Sequence, residues 1–270
     1  MSLDLLQAQI RTLKCPFSLL LCPETVCKLP DLQDLEYNFK KAISAAEGIL
    51  PAVTIKTAAF LAFGSPGAQA LSLIINEAKS AGLYVISDAG LNEIGGTAEL
   101  AARAYLGEGA YCSDAVTVDA YLGSEVFYPL LEKCENFDRG IIVLARRDNR
   151  SAGEVMDLIS GDRFVYKAVA ELAARNGRKL IAKCGYSRVM VSVGMKHMSD
   201  LRMMRKRMEN TFFYVTAGVS RQSPCDLAPA FDRYGHGAII EIMCRTDKNY
   251  ELKAELVRLS DEFKQVIQIL

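Results

Sequence analysis

Short runs of β-branched and aliphatic residues alternate along the chain with longer stretches in which apolar residues recur every three or four positions. Eight such runs stand out, at residues 17–22, 52–56, 83–88, 115–119, 141–145, 189–193, 212–216 and 238–243. Strand-like runs separated by helical periodicity predict a parallel sheet covered by helices. The last segment sets Leu252, Leu256, Leu259, Phe263, Val266 and Leu270 on one helical face, and this helix is expected to seal the sheet. Eight strand-then-helix units in a chain of 270 residues predict one (β/α)8 TIM barrel over residues 1–270. An open dinucleotide-binding sheet is disfavoured because no glycine fingerprint follows the first strand; the pair Gly235 and Gly237 precedes a strand instead. No internal repeat, low-complexity stretch or linker interrupts the pattern.

Composition removes several function classes. Lys and Arg number 32 against 32 Asp and Glu, so the net charge is zero and nucleic acid is not an expected partner. Half the residues are hydrophobic, which suits an ordinary core, and no apolar run is long enough to cross a bilayer. The eight cysteines are scattered, without the paired short spacings of a zinc site and without a secretory leader, and read as reduced thiols of a cytoplasmic protein. His197 and His236 are the only histidines, and HExxH, GxSxG and GxxxxGK[ST] patterns do not occur. His-rich metal centres and most Ser-His-Asp triads are therefore not expected.

In a barrel of this kind chemistry sits at the C-terminal ends of the strands, so polar residues that close apolar runs carry the information. Lys56 closes the second run, Ser87 and Asp88 the third, Thr117 and Asp119 the fourth, Arg146 and Arg147 follow the fifth, and Arg245 follows the eighth. A single such charge is usually a solvated cap, but convergence at most strand ends favours a site. Gly218, Ser220, Arg221 and Gln222 after the seventh run, with Arg245, suit a phosphate pocket, the bland alternative being loop-stabilising hydrogen bonds. The polar stretch 146–162 reads as a long loop at the active face or a mobile surface loop. Residues 202–208 read as a helix with methionines inward and charges in water. His236 falls at the stability face, while His197 is a helix-start residue or a ligand contact.

Several stretches resemble one family. Residues 85–98, from Val-Ile-Ser-Asp88-Ala-Gly90 to Glu93-Ile-Gly-Gly-Thr97-Ala, line up with an Asp-x-Lys-x-x-Asp stretch and its Ile-Gly-Ser-Thr continuation. Residues 114–123, 140–149 and 217–222, together with Arg245, add to the likeness. The chain thus resembles the orotidine 5'-phosphate decarboxylases, in particular a bacterial subgroup with longer loops. The resemblance implies conversion of orotidine monophosphate to uridine monophosphate in pyrimidine biosynthesis. It also implies that no cofactor is needed and that the protein is a homodimer with sites at the subunit interface.

Residue by residue, Lys56 matches the family's strand-two lysine, Asp88 the first motif aspartate and Glu93 the second. The resemblance gives the phosphate to Gly218, Gln222 and Arg245, and the rest of the substrate to Cys22, Thr97, Thr117, Asp119 and Arg146. At the motif lysine, whose ammonium stabilises and protonates the carbanion, the chain has Gly90. Cys22 replaces a ribose-contacting aspartate and Asp119 an asparagine. The expected partner is a phosphorylated small molecule, a nucleotide monophosphate, bound without decarboxylation. Two alternatives stand beside it: a decarboxylase with Lys56 or Arg147 as substitute cation, and another phosphosugar enzyme of the superfamily, such as a hexulose-phosphate synthase or a ketogulonate-phosphate decarboxylase.

Overall fold

The computed structural model describes residues 1–23, 31–216, 224–243 and 251–270. Eight strands form the wall: β1 (Phe17–Leu21), β2 (Ala52–Lys56), β3 (Tyr84–Leu91), β4 (Ala115–Val118), β5 (Gly140–Arg146), β6 (Ser187–Gly194), β7 (Thr211–Thr216) and β8 (Ala238–Ile242). All neighbours pair in parallel in sequence order, and β1 closes on β8 through Phe17 opposite Ile240 and Ser18 opposite Glu241. The expected (β/α)8 barrel is therefore the observed one. Closure leaves no strand edge, and helices cover the outside, so nearly every strand position is buried.

The longer described helices are α1 (Leu3–Leu13), α2 (Leu32–Ala46), α3 (Gly64–Ser80), α4 (Gly95–Leu106), α5 (Tyr128–Phe137), α6 (Val165–Gly177), α7 (Met198–Arg207) and α8 (Leu252–Val266). The side chain of Ser2 caps α1 by accepting from the Leu5 amide, and Leu3, Leu6 and Ile10 are buried on its inner face. Gln7 and Gln9 of α1 bond the backbone of Gly237 and Gly82, just before β8 and β3, so α1 covers the N-terminal end of the barrel. The final helix seals the wall, not this end. Phe263 of α8 packs edge-on against Phe17 and Phe231. Of the predicted face, Leu252, Leu256 and Phe263 are buried and Leu259 half-buried, but Val266 and Leu270 are exposed.

Three local expectations change. The third run continues past Asp88 to Leu91 through a bulge, with Gly90 in the left-handed region at φ +57°. The stretch after Arg146 contains a one-turn helix, Gly153–Met156, and a small hairpin pairing Ile159–Ser160 with Arg163–Phe164. In α7 the inward residues are Leu201 and Met204, while Met203 is exposed. Arg205 turns inward instead of into water, donating to the carbonyls of Thr211 at 2.7 Å and Gly237 at 2.6 Å, and also to that of Ala230. Its guanidinium thereby ties the entrances of β7 and β8 to the segment that ends at Ala230.

Candidate active site at the barrel mouth

The side-chain alternation of a strand puts Thr54 and Lys56 on one face of β2, toward the barrel axis. Register places Lys56 opposite Asp88, and their side chains form an ion pair through Asp88 Oδ2. The other oxygen, Oδ1, accepts a hydrogen bond from Thr117 Oγ1 at 2.8 Å. Thr117 in turn accepts from the Gly90 amide at 2.8 Å. The bulge in β3 is thereby tied to β4, and the four residues form one network at the strand ends. Asp88 is 13 % exposed and the Lys56 side chain 36 %, so the ammonium is the part of the pair that faces the mouth.

A Cβ added at Gly90 would meet nothing within 4 Å. The limit at this position is the backbone, because φ +57° costs a non-glycine residue about 1–2 kcal/mol.

Beneath this network the barrel core is polar. Glu241 of β8 is 5 % exposed and accepts a hydrogen bond from the Tyr214 hydroxyl. Tyr214 OH also lies 2.9 Å from Thr54 Oγ1, which lies 2.8 Å from Ser18 Oγ. Burial pushes the Glu241 carboxyl up, the Tyr214 hydrogen bond opposes it, Asp88 adds to the rise, and Lys56 and Arg147 oppose it, leaving it at about 7. The Tyr214 phenol is pushed well above its ordinary range by burial and by the charges of Glu241 and Asp88. Sequence reasoning passed over Glu241 and Tyr214, although an acid inside Ala238-Ile-Ile-Glu241-Ile was a usable signal.

The β5–β6 side of the mouth is filled with protein partners. Arg146 is 7 % exposed; its guanidinium lies 2.5 Å from Asp157 and 3.7 Å from Asp200, and 4.6 Å over the Tyr166 ring. Burial and Asp200 push the Tyr166 phenol up to about 12. His197, just before α7, stands 3.5 Å from Asp148 and 3.7 Å from Asp200. These contacts fasten the loop after β5 to α6 and α7.

Among the other expected site residues, Cys22 is buried just past the end of β1. Asp119 turns its carboxylate onto its own turn, accepting from the Tyr121 amide at 2.8 Å. Glu93 and Thr97 lie in a solvent-exposed stretch, 92–97, that runs from β3 into α4. The expected phosphate contacts, Gly218, Gln222 and Arg245, with Ser220 and Arg221, lie outside the described residues. His236 is at the opposite end, its ring 2.6 Å from the Leu270 carbonyl. Among the described residues no group of three or more His, Cys, Asp or Glu could hold a metal ion, and no helix is long and apolar enough to cross a membrane.

A cavity of about 440 Å³ opens on the far side of the barrel, bordered by Arg175, Arg178, Arg207, Ser187 and Thr211. It lies at strand entrances, away from the end where barrels of this class place their chemistry. The Lys56–Asp88–Thr117 network is the better candidate on position and on charge.

Comparisons with known proteins give the family and the fold. A family model described as the orotidine 5'-phosphate decarboxylase / HUMPS family matches residues 31–226. An orotidine 5'-phosphate decarboxylase of Rhodopirellula baltica is 34% identical over 204 residues, covering 73% of this chain and 68% of the relative. One from Caldicellulosiruptor saccharolyticus is 30% identical over 214 residues, covering 76% and 70%. In fold, the structure of Leishmania donovani OMP decarboxylase superposes with a TM-score of 0.83 at 23% identity, covering 98% of this chain and 99% of that one.

Proposed function

The chain belongs to the orotidine 5'-phosphate decarboxylase / HUMPS family, and from that premise we propose that its barrel mouth holds a phosphorylated, nucleotide-like ligand without decarboxylating it. One observation carries this reading: Gly90 stands where the family motif places a lysine, and the neighbouring ammonium, Lys56, is paired with Asp88. Loss of CO2 from a carboxylated base leaves a carbanion, which needs a fixed cation and a proton donor beside it. A glycine amide bonded to Thr117 supplies neither function.

In this reading Gly218, Gln222 and Arg245 hold the phosphate, following β7 and β8 where barrels of this class bind such groups. Cys22, Thr117 and Asp119 border the sugar and base, and Arg146 keeps the β5 loop in place. Glu93 and Thr97, exposed to solvent, complete the site of a second copy in a homodimer. Exposed Ile94, Leu100, Tyr121 and Tyr128, on or beside the adjoining helices α4 and α5, favour that partner.

Titration with uridine monophosphate tests the binding half. Saturable binding that weakens tenfold or more in Arg245→Ala is expected, and equal affinity in the two proteins overturns the phosphate assignment. A second reading, decarboxylation with Lys56 as substitute cation, is favoured by the exposure of its ammonium toward the mouth. It requires turnover of orotidine monophosphate by the unaltered protein that disappears in Lys56→Met.

A further inference from the structure

The cavity of about 440 Å³ at the strand entrances lies between the C-terminal ends of two helices. Arg175 of α6 and Arg178 just past it border one side, and Arg207, the last residue of α7, the other. Ser187 and Thr211, the first residues of β6 and β7, also line it. The frame is held by the protein's own bonds. The Ser187 hydroxyl donates to the Gly177 carbonyl at 3.0 Å, and a Cβ at Gly177 would collide with Ser187 Oγ, so α6 ends close against β6. Toward α7, the Ser187 amide donates to the Asn210 carbonyl at 2.7 Å and the Thr211 amide to that of Met208 at 3.0 Å.

Among the described residues, none of the three guanidinium groups has an ion-pair or hydrogen-bond partner, in contrast to Arg205 nearby in α7, which donates to three carbonyls. Of the two acids in the lining, Glu171 is paired with Arg163, which leaves Glu209. The two helix ends add about half a negative charge each. Three cations thus face about two negative charges, and the cavity keeps an excess of about one positive charge. Guanidinium forks with open donors take phosphoryl oxygens in pairs. The volume falls within the range of ligand pockets, about 300–1,000 Å³, and exceeds what one phosphate fills. Ala174, Ile181 and Met208 add apolar surface.

We propose that this cavity is a second binding site, independent of the mouth, for a chain of linked phosphoryl groups, either free or carried by a nucleoside. Arg175 and Arg178 hold one end of the chain and Arg207 the other, while a nucleoside, where present, lies against Ile181 and Met208. The site is at the strand entrances, so its occupant leaves the mouth open.

The test is calorimetric titration of the full chain with inorganic tripolyphosphate and, separately, with adenosine triphosphate. Both are used in magnesium-free buffer at pH about 7.5, where the terminal phosphoryl group is almost fully ionised. Saturable binding is expected, weakening about tenfold or more when Arg178→Ala and Arg207→Ala are combined. Tighter binding of adenosine triphosphate assigns the site to nucleoside polyphosphates, and equal affinity assigns it to the phosphate chain alone. Arg245→Ala, which alters the mouth, should bind both probes as the unaltered protein does. Should the double variant not fold, Arg175→Ala decides the matter, with an expected weakening of about threefold or more. Binding that is unchanged in the arginine variants, or that disappears in Arg245→Ala, overturns the inference, as does absence of binding by the unaltered protein.

Discussion

The mouth and the core of this barrel each hold a carboxyl group, and they neutralise it by different means. Asp88, near the surface, is met by an ammonium and by the Thr117 hydroxyl. Glu241, a layer deeper, is met by the Tyr214 hydroxyl and, at neutral pH, in part by its own proton. The difference follows from solvation. At the mouth a lysine keeps much of its hydration while it pairs, whereas a second buried ammonium would carry a desolvation cost that the pairing need not repay. The mouth therefore has a fixed charge pattern and the core an adjustable one.

The largest expected effect breaks the core half of that comparison. A carboxyl raised from 4.5 to about 7 in the folded protein destabilises the fold progressively as pH rises between those values, and fully above the higher one. The unaltered protein should lose about 3 kcal/mol between pH 4.5 and 8 relative to Glu241→Gln, an order-of-magnitude figure from 1.36 kcal/mol per unit. Urea melts of both proteins at a series of pH values read this difference directly; parallel curves would show that folding does not raise the Glu241 carboxyl. Thr117→Val sharpens the mouth half. It removes the bond to Asp88 and leaves the Gly90 amide without its acceptor, for an expected loss of about 1–2 kcal/mol in the same melts. The smallest effect is at the bulge: Gly90→Lys should fold with a penalty of about 1 kcal/mol from its backbone.

Much of the architecture was legible because each wall strand is an apolar run bounded by helical periodicity, and parallel burial allows little else. The eight runs coincide with the eight barrel strands to within a few residues. The departures have local causes. Asp88-Ala-Gly90 bulges because a glycine accepts a left-handed backbone, which an apolar-run reading ends too early. Arg205 looked like one more surface charge among its neighbours, yet carbonyls at the strand entrances draw it inward.

The site was legible as a set of strand ends, and Lys56, Asp88 and Thr117 do meet. Arg146 shared that signal, but its carboxylate partners, Asp157 and Asp200, lie 11 and 54 positions along the chain, beyond any local pattern. Glu241 was passed over because attention to strand ends overlooks an acid in a strand's middle. The resemblance to a family supplied the meaning of Gly90, which no periodicity could.

The central claim is that, with Gly90 at the motif's lysine position and Lys56 held against Asp88, this mouth binds its ligand without decarboxylating it. Single-turnover mixing of orotidine monophosphate with excess protein, followed by ultraviolet absorbance and by separation of the nucleotides, addresses it most directly. The account predicts that orotidine monophosphate stays intact and that uridine monophosphate does not accumulate. Conversion at about one per second or faster, the range of ordinary enzymes, would contradict it.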